Sequence, residues 1–168
     1  MTETVLVVDP AFSPAPVAME QVSFTAAVEL WRIHTQQMPL LVSGHSMLPL
    51  LRPGDRLSIA AQTHYRIGDI VLFHWGTALV VHRIVAKVAT SPSPLWRTQG
   101  DNCMEADVPV SAAAILGRVT TLHRGVRSYP LDTVGWRAAG WLVAAATRPP
   151  WAWRGRHLLL RLLARGIN

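Results

Sequence analysis

Short hydrophobic segments and turn-forming sequences alternate through the middle of the chain. Between residues 40 and 124, segments of five to eleven residues are rich in β-branched and aromatic side chains, and sequences such as RPGD, WGT and QGDN separate them. Short strands joined by tight turns are typical of an antiparallel β-barrel or sandwich, so the predicted fold class is mainly β. The predicted strands are LLVSG, DRLSIA, DIVLFHW, ALVVHRIVAKV, PLWRTQG and ILGRVTTLHR.

The hydrophobic pattern changes to a helical period on both sides of this β region. In residues 1–39, a short strand, TVLVV, and a proline-rich link, AFSPAP, precede residues 23–37, where apolar residues recur every three or four positions until Pro39 ends the pattern. That period predicts an amphipathic helix. Residues 125–168 predict two further helices, GWRAAGWLVAAAT and RGRHLLLRLLARG. The sequence therefore predicts three zones, 1–39, 40–124 and 125–168.

The composition indicates a folded chain with an arginine-rich surface. Half of the residues are hydrophobic, which excludes global disorder, and the formal net charge is +6 with Lys87 as the only lysine. From Arg148 onward the chain has arginines but no acid. A cationic amphipathic tail beside Trp151 and Trp153 predicts either peripheral contact with an anionic membrane or docking of its leucines on the β domain or another subunit. Nucleic acid is not an expected partner, because no stacking-aromatic motif or groove-reading helix is present.

Ser46 lies on a constrained stretch of chain, SGHSMLPLLRPGDRL, with a proline three residues later and a Pro-Gly-Asp turn after that. A serine hydroxyl is a poor nucleophile unless a base takes its proton, and the strand ALVVHRIVAKV carries two candidate bases, His82 and Lys87. Their separation of five residues places them on opposite faces of an unbroken strand, so at most one of them can meet Ser46. The apolar neighbours of His82 predict that its imidazole is either a buried structural group or part of a site.

A histidine base needs a carboxylate that orients its ring, and the segment TQGDNCMEADVPV offers Asp101, Glu105 and Asp107. QGDN by itself is an ordinary turn, in which Asp101 would accept hydrogen bonds from backbone amides. Asp55 and Asp69, in the sequences PGD and IGD, have the same expected turn role. These residues alone therefore leave the identity of the orienting carboxylate open.

The order of these motifs resembles the S26 signal peptidase family, in its archaeal and endoplasmic-reticulum branch, within the S24/S26 superfamily of LexA-like and signal-peptidase-like proteins. The resemblance runs from about Leu41 to Val119 and consists of a serine element, two Gly-Asp turns, a VHRIV strand and a GDN loop that ends in an aspartate. It implies a mostly antiparallel β catalytic domain, here residues 40–124. The matching residues are Ser46, Met47, Pro49, Gly54, Asp55, Gly68, Asp69, Ile70, Val71, His82, Arg83, Ile84, Gly100, Asp101, Asn102, Asp107, Gly117 and Val119.

The resemblance also implies a serine endopeptidase that cleaves a leader or signal-type segment by acyl transfer. Ser46 would attack the peptide carbonyl with help from its own backbone N–H as an oxyanion donor, and His82 would take its proton, where bacterial signal peptidases and LexA-like repressors have a lysine. By position, Asp107 matches the orienting aspartate and Asp101 a supporting loop residue, with Asp101 as the alternative for the orienting role. The residues expected to shape the cleft wall are Met47 and Pro49.

Two features depart from the family pattern. Leu50 stands where the family usually has threonine, and ELWRIHTQQMPL, before the serine motif, is too polar for the transmembrane helix of membrane signal peptidases. No secretory signal precedes it either, so we expect a cytoplasmic relative, or one peripheral at the inner membrane face, acting on a peptide or protein with a cleavable leader.

No cofactor or metal is expected, because no two candidate ligands have the tight spacing of a metal site.

Two other functions are alternatives on the same residues. A self-cleaving regulator of the LexA type would need an upstream cleavage sequence, which the Ala-Phe-Ser and Ala-Pro-Val stretch could supply, but residues 1–39 are too short for a helix-turn-helix domain. A non-catalytic module could bind peptides in the same cleft. The presence of a serine, a histidine and an aspartate together favours catalysis over that module.

Overall fold

The computed structural model describes residues 38–76, 78–88, 94–147 and 153–167. The predicted strand TVLVV and the predicted helix over 23–37 lie outside the described residues. The described residues contain eight strands, two α-helices and one short 3-10 helix at Ala112–Ala114. The strands and α-helices are β1 (Met38–Leu41), β2 (Arg56–Ala60), β3 (Ile70–Trp75), β4 (Ala78–Val88), β5 (Leu95–Gln99), β6 (Val110–Ser111), β7 (Ile115–Arg124), β8 (Arg127–Pro130), α1 (Val134–Ala145) and α2 (Trp153–Arg165).

The strands form one antiparallel sheet in the order β1-β2-β7-β3-β4-β5-β6, with β8 paired to β7. The mainly β, antiparallel fold predicted from the sequence is therefore confirmed. Register shifts interrupt three of the pairings, β2 with β7, β3 with β7, and β4 with β5. Such irregularities bend and twist strands, which lets a sheet curve around its own core.

β3 and β4 lie between two hydrophobic clusters, one on each face of the sheet. The first, which we call the helix-side core, includes Leu72 and Val81 together with residues of both helices. The second, which we call the site-side core, includes Phe73, Val80 and Ile84. Because successive side chains of a strand point to opposite faces, a strand covered on both faces needs apolar residues at almost every position. This explains the continuous hydrophobic runs of these two strands.

The sheet extends beyond residue 124, where the predicted β zone ends. Strand β8 forms a tight hairpin with β7, closed by Gly125 at a φ of +58°. The interpretation of all of 125–168 as helical is therefore wrong for residues 127–130. A four-residue edge strand with a single partly buried side chain in its centre, Tyr129, gives too weak an alternation to be recognised.

Both C-terminal helices pack against the sheet domain. Helix α1 approaches Gly68 so closely that a Cβ on this glycine would lie 2.5 Å from the backbone nitrogen of Trp141. Helix α2 buries Leu160 completely in the helix-side core, which also takes up Ile167 just after the helix, while Leu158 and Leu162 stay exposed. The helices therefore dock on the β domain through part of their apolar surface. Neither described helix combines the length and hydropathy that a bilayer-spanning segment needs.

Candidate active site

Ser46 lies in a compact turn that follows β1. The backbone N–H of Leu48 donates to the carbonyl of His45 at 3.1 Å, and that of Leu51 donates to the carbonyl of Met47 at 3.0 Å, which closes the turn around the serine. The carbonyl of Ser46 accepts a 2.7 Å hydrogen bond from the backbone N–H of Asn102. The serine turn is thus tied directly to the loop that follows β5.

His82 and Asp107 form a close pair beneath this turn. His82 is 1% exposed, and its Nδ1 lies 2.7 Å from Oδ2 of Asp107. The hydroxyl of Thr98 donates to the same carboxylate oxygen at 2.6 Å, and the backbone N–H of Asp107 donates to the Thr98 carbonyl at 2.8 Å. A carboxylate bound to Nδ1 favours the tautomer that carries its proton there, which leaves Nε2 as a proton acceptor.

The Nε2 atom of His82 is buried and has no hydrogen-bond partner among the described residues. Gly100 shows where this atom points. A Cβ built on Gly100 would lie 3.1 Å from Nε2 of His82 and 2.7 Å from the carbonyl oxygen of Ser46. Glycine is therefore required at position 100, because any side chain would fill the space where the serine turn meets the imidazole. The backbone carbonyl of Ser46 and Nε2 of His82 thus both lie beside Gly100, and Asp107 holds the other nitrogen of the imidazole.

Arg83, the next residue of β4, points to the opposite face and binds the other aspartate of the loop. Its Nε and Nη2 donate to Oδ1 and Oδ2 of Asp101 at 2.8 and 2.7 Å, and both side chains are almost completely buried. Its Nη1 donates to the carbonyl of Gly68 at 2.9 Å. The carboxylate of Asp101 is thus engaged by Arg83, whereas the imidazole of His82 is engaged by Asp107.

The Gly-Asp turn at Asp55 does more than connect two strands. The carboxylate of Asp55 accepts a 2.7 Å hydrogen bond from the backbone N–H of Arg52, as a turn aspartate does. It also forms a bidentate ion pair with the guanidinium of Arg124. That pair raises the pKa of Arg124, chiefly through the hydrogen bond to Asp55. Arg124 Nη2 in turn donates to the carbonyl of Leu50 at 2.9 Å. This chain of contacts anchors the far end of the serine turn.

Arg156, on helix α2, holds the loop between Gly100 and Cys103 from the other side. The residue is 2% exposed, and its Nη2 lies 2.6 to 3.3 Å from the carbonyl oxygens of Gly100, Asp101 and Cys103. Burial lowers the pKa of Arg156, and the nearby Asp101 acts against that shift. Sequence reasoning missed this contact, since Arg156 is only one of several arginines in a basic helix.

The two residues expected in the cleft wall lie in different surroundings. Met47, expected in the cleft wall, is 3% exposed and belongs to the helix-side core, where its sulfur accepts the backbone N–H of Asp101 at 3.4 Å. It supports the turn from inside because the turn folds inward at this position. Pro49, the other expected wall residue, does line a surface groove.

His82 and Lys87 are not separated by the strand alternation expected from the sequence. That expectation assumed an unbroken β4, but the pairing register shifts between Ile84 and Ala86, so alternation does not hold from His82 to Lys87. What separates the lysine from the site is distance, since five residues of strand cover about 16 Å. Lys87 is exposed, and its Nζ lies 5.7 Å from the ring centre of Trp96.

Thr98 is a further member of the site that sequence reasoning did not find. Its position on β5, directly before the GDN loop, was a possible signal, but nothing local shows that the loop returns to it.

No group of three or more potential metal ligands occurs within residues 38–76, 78–88, 94–147 and 153–167.

The comparisons with known proteins identify one family. The family model described as Peptidase S24-like matches residues 11–120, which is well over half of the chain. The matched range contains Ser46, His82 and Asp107 but ends before β8 and both helices. No match was found among curated proteins.

Proposed function

Because the chain belongs to the Peptidase S24-like family, we propose that it is a serine endopeptidase in which Ser46, His82 and Asp107 carry out the reaction. The observation that carries this proposal is the buried His82, whose Nδ1 is held by Asp107 while its Nε2 has no described partner and points toward the serine turn. A histidine with a purely structural role would normally use both ring nitrogens.

The proposed reaction is acyl transfer in two halves. Ser46 Oγ attacks the carbonyl carbon of the scissile bond while His82 Nε2 takes the hydroxyl proton, and the backbone N–H of Ser46 helps to bind the oxyanion. His82 then gives that proton to the leaving amine as the C–N bond breaks. In the second half, His82 takes a proton from water, the water oxygen attacks the acyl carbon, and the Ser46 hydroxyl is restored with the same proton. Asp107 stabilises the imidazolium in both halves.

Two observations support a histidine base and, with it, the archaeal and endoplasmic-reticulum branch of signal peptidases. The only lysine, Lys87, is exposed and contacts Trp96, far along β4 from His82. Asp107 supplies the carboxylate that a histidine needs and a lysine does not. On this basis the proposed substrate is a peptide or protein with a cleavable leader or signal-type segment.

The test is a comparison of protein amino termini in source cells that carry the wild-type chain, Ser46→Ala or Ser58→Ala. Ser58 is a matched control because its Oγ also contacts a histidine, Nε2 of His123, at 2.8 Å, on strands away from the site. We expect termini that disappear with Ser46→Ala and persist with Ser58→Ala, which would also name the substrate. Equal amounts of each variant are verified by immunoblot.

Purified protein provides a second readout that does not need a known substrate. A fluorophosphonate probe should label the wild type at Ser46, and the label should be absent in Ser46→Ala and greatly reduced in His82→Gln. Intact mass would show self-cleavage, as expected of a LexA-like regulator. A stable wild type that cleaves nothing and takes up no probe would contradict the peptidase proposal and favour a peptide-binding module.

A further inference from the structure

A groove of about 630 Å³ lies beside the serine turn. One wall consists of Leu48 and Pro49, which follow Ser46 in the turn, together with Asn102. Asn102 contacts the turn twice, since its backbone N–H donates to the Ser46 carbonyl and its Nδ2 donates to the His45 carbonyl at 3.3 Å. The groove is therefore continuous with the backbone that carries the proposed nucleophile.

The opposite wall is one face of helix α2. Arg154, His157, Leu158 and Arg161 line it, and this spacing of three and four residues places them on the same side of the helix. Neither Arg154 nor Arg161 forms an ion pair with any described residue, and both are exposed. Two cations thus face the groove without a described counter-charge.

No acidic side chain lines the groove within the described residues, and α2 itself contains none. The neighbouring acid Asp101 is buried and already bound by Arg83, so it does not neutralise this wall. Burial, together with Arg156 and Arg161, lowers the pKa of His157, so the groove's positive charge near neutral pH comes from its arginines. Charge complementarity therefore indicates that this groove binds an anionic group.

We propose that this groove binds an acidic segment of the substrate peptide next to the scissile bond. The inference rests on the proposed peptidase function and names its substrate class. Arg154 and Arg161 are seven residues apart, which corresponds to about 10 Å along a helix and to about three residues of an extended peptide. Two acidic residues within three or four positions of each other can pair with both arginines, and Leu158 accommodates an apolar side chain between them.

Binding is measured with the full chain carrying Ser46→Ala, so that no cleavage interferes. The probes are two fluorescein-labelled octapeptide libraries with a fixed Glu-Leu-Ala-Glu or Gln-Leu-Ala-Gln core, which places the two acidic or amide side chains three positions apart. We expect the Glu library to bind about tenfold more tightly at low salt, and the preference to disappear at high salt. R154Q/R161Q should abolish it. The control is R97Q/R127Q, which removes the same charge from exposed strand positions outside the groove.

Three results would overturn the proposal: equal binding of both libraries, a preference that survives R154Q/R161Q, or one that R97Q/R127Q also abolishes. Binding to phosphatidylserine-rich vesicles that requires Leu158 and Leu162, without any peptide preference, would instead assign this face to a membrane surface. The two proposals fail separately. Glu-dependent binding with no cleavage by the wild type would reject only the peptidase, whereas cleavage without charge preference would reject only the acidic groove.

Discussion

His82 and Arg83 are neighbours on β4, and each binds an aspartate of the same loop, but the two pairs differ in what they leave unused. Arg83 and Asp101 are buried on the helix side, and two hydrogen bonds between them use both carboxylate oxygens. His82 and Asp107 lie on the site side, where the aspartate is 18% exposed and the imidazole keeps one nitrogen without a described partner. The Arg83–Asp101 pair therefore uses both carboxylate oxygens, whereas the His82–Asp107 pair leaves Nε2 of His82 as a hydrogen-bond acceptor.

This difference separates structural from chemical roles within a single dipeptide. A buried ion pair with complete hydrogen bonding has no capacity left for a substrate, and breaking it leaves an uncompensated charge. A buried imidazole with one ring nitrogen held and the other open is prepared to accept a proton. We therefore expect changes at the first pair to reduce the stability of the fold and changes at the second to reduce the reaction rate.

The largest effect is expected from Asp107→Asn. The amide cannot hold the Nδ1 proton tautomer or stabilise the imidazolium, so kcat should fall by about 10³- to 10⁴-fold. Because the Asp107 side chain is partly exposed, the urea midpoint of unfolding should change little. Cleavage of the substrate identified by the amino-terminal comparison gives the rate. A rate within tenfold of the wild type would reject Asp107 as the orienting group.

Asp101→Ala should show the reverse pattern. It leaves the Arg83 guanidinium buried and unpaired, and we expect a loss of about 3–5 kcal/mol in the free energy of unfolding. Urea denaturation followed by tryptophan fluorescence measures this. Glu105→Ala, an exposed acid on the same loop, is the control and should change stability by less than about 0.5 kcal/mol. A stable but inactive Asp101→Ala protein would show that this aspartate acts in the reaction instead.

A smaller effect is expected from Arg156→Met, which removes a buried donor from three loop carbonyls. The lost hydrogen bonds should cost about 2–3 kcal/mol of stability, and the loosened loop should lower kcat more than it changes KM. Arg154→Met, on the exposed face of the same helix, is the matched control and should leave stability unchanged. If both variants unfold at the same urea concentration as the wild type, helix α2 does not support the loop.

The smallest effect is expected from Thr98→Val, which removes one hydrogen bond to Asp107 at nearly constant volume. The missing hydrogen bond should cost about 1 kcal/mol of the stabilisation of the Asp107 carboxylate, and this cost should appear as a several-fold decrease in kcat. Thr98→Ser keeps the hydroxyl and should retain most of the wild-type rate. Equal rates for the valine and serine variants would show that the Thr98 hydroxyl is not needed to place the carboxylate.

The strands that the sequence predicted are those with strong local patterns. The predicted β4 and β7 segments have the same limits as the observed strands, since eleven and ten residues of β-branched and apolar side chains end at clear turns. The two strands that were missed, β6 and β8, have only two and four residues. Strands of that length carry too few positions for a period of two to be recognised.

Within the candidate site, the residue types were predictable and their partners were not. A serine on a tight turn, a histidine in an apolar strand and acids in a short loop could be recognised from neighbouring residues alone. Whether Asp101 or Asp107 reaches His82 depends on how the loop after β5 folds back, and the structure places Thr98 and Asp107 side by side. The burial of Met47 could not be predicted for the same reason, because it depends on the turn folding inward.

Local sequence was enough to predict the longer strands, the turns and the set of groups able to do chemistry, because strand periodicity and turn preference act between residues close in the chain. Only the folded structure shows which aspartate binds on each face of β4 and that Gly100 leaves room beside Nε2 of His82. It also shows that Arg156 binds backbone carbonyls of the loop after β5, which lie 53 to 56 positions away in the sequence. Such contacts depend on packing two cores against one sheet, and no local pattern of residues encodes a distance between side chains so far apart in sequence.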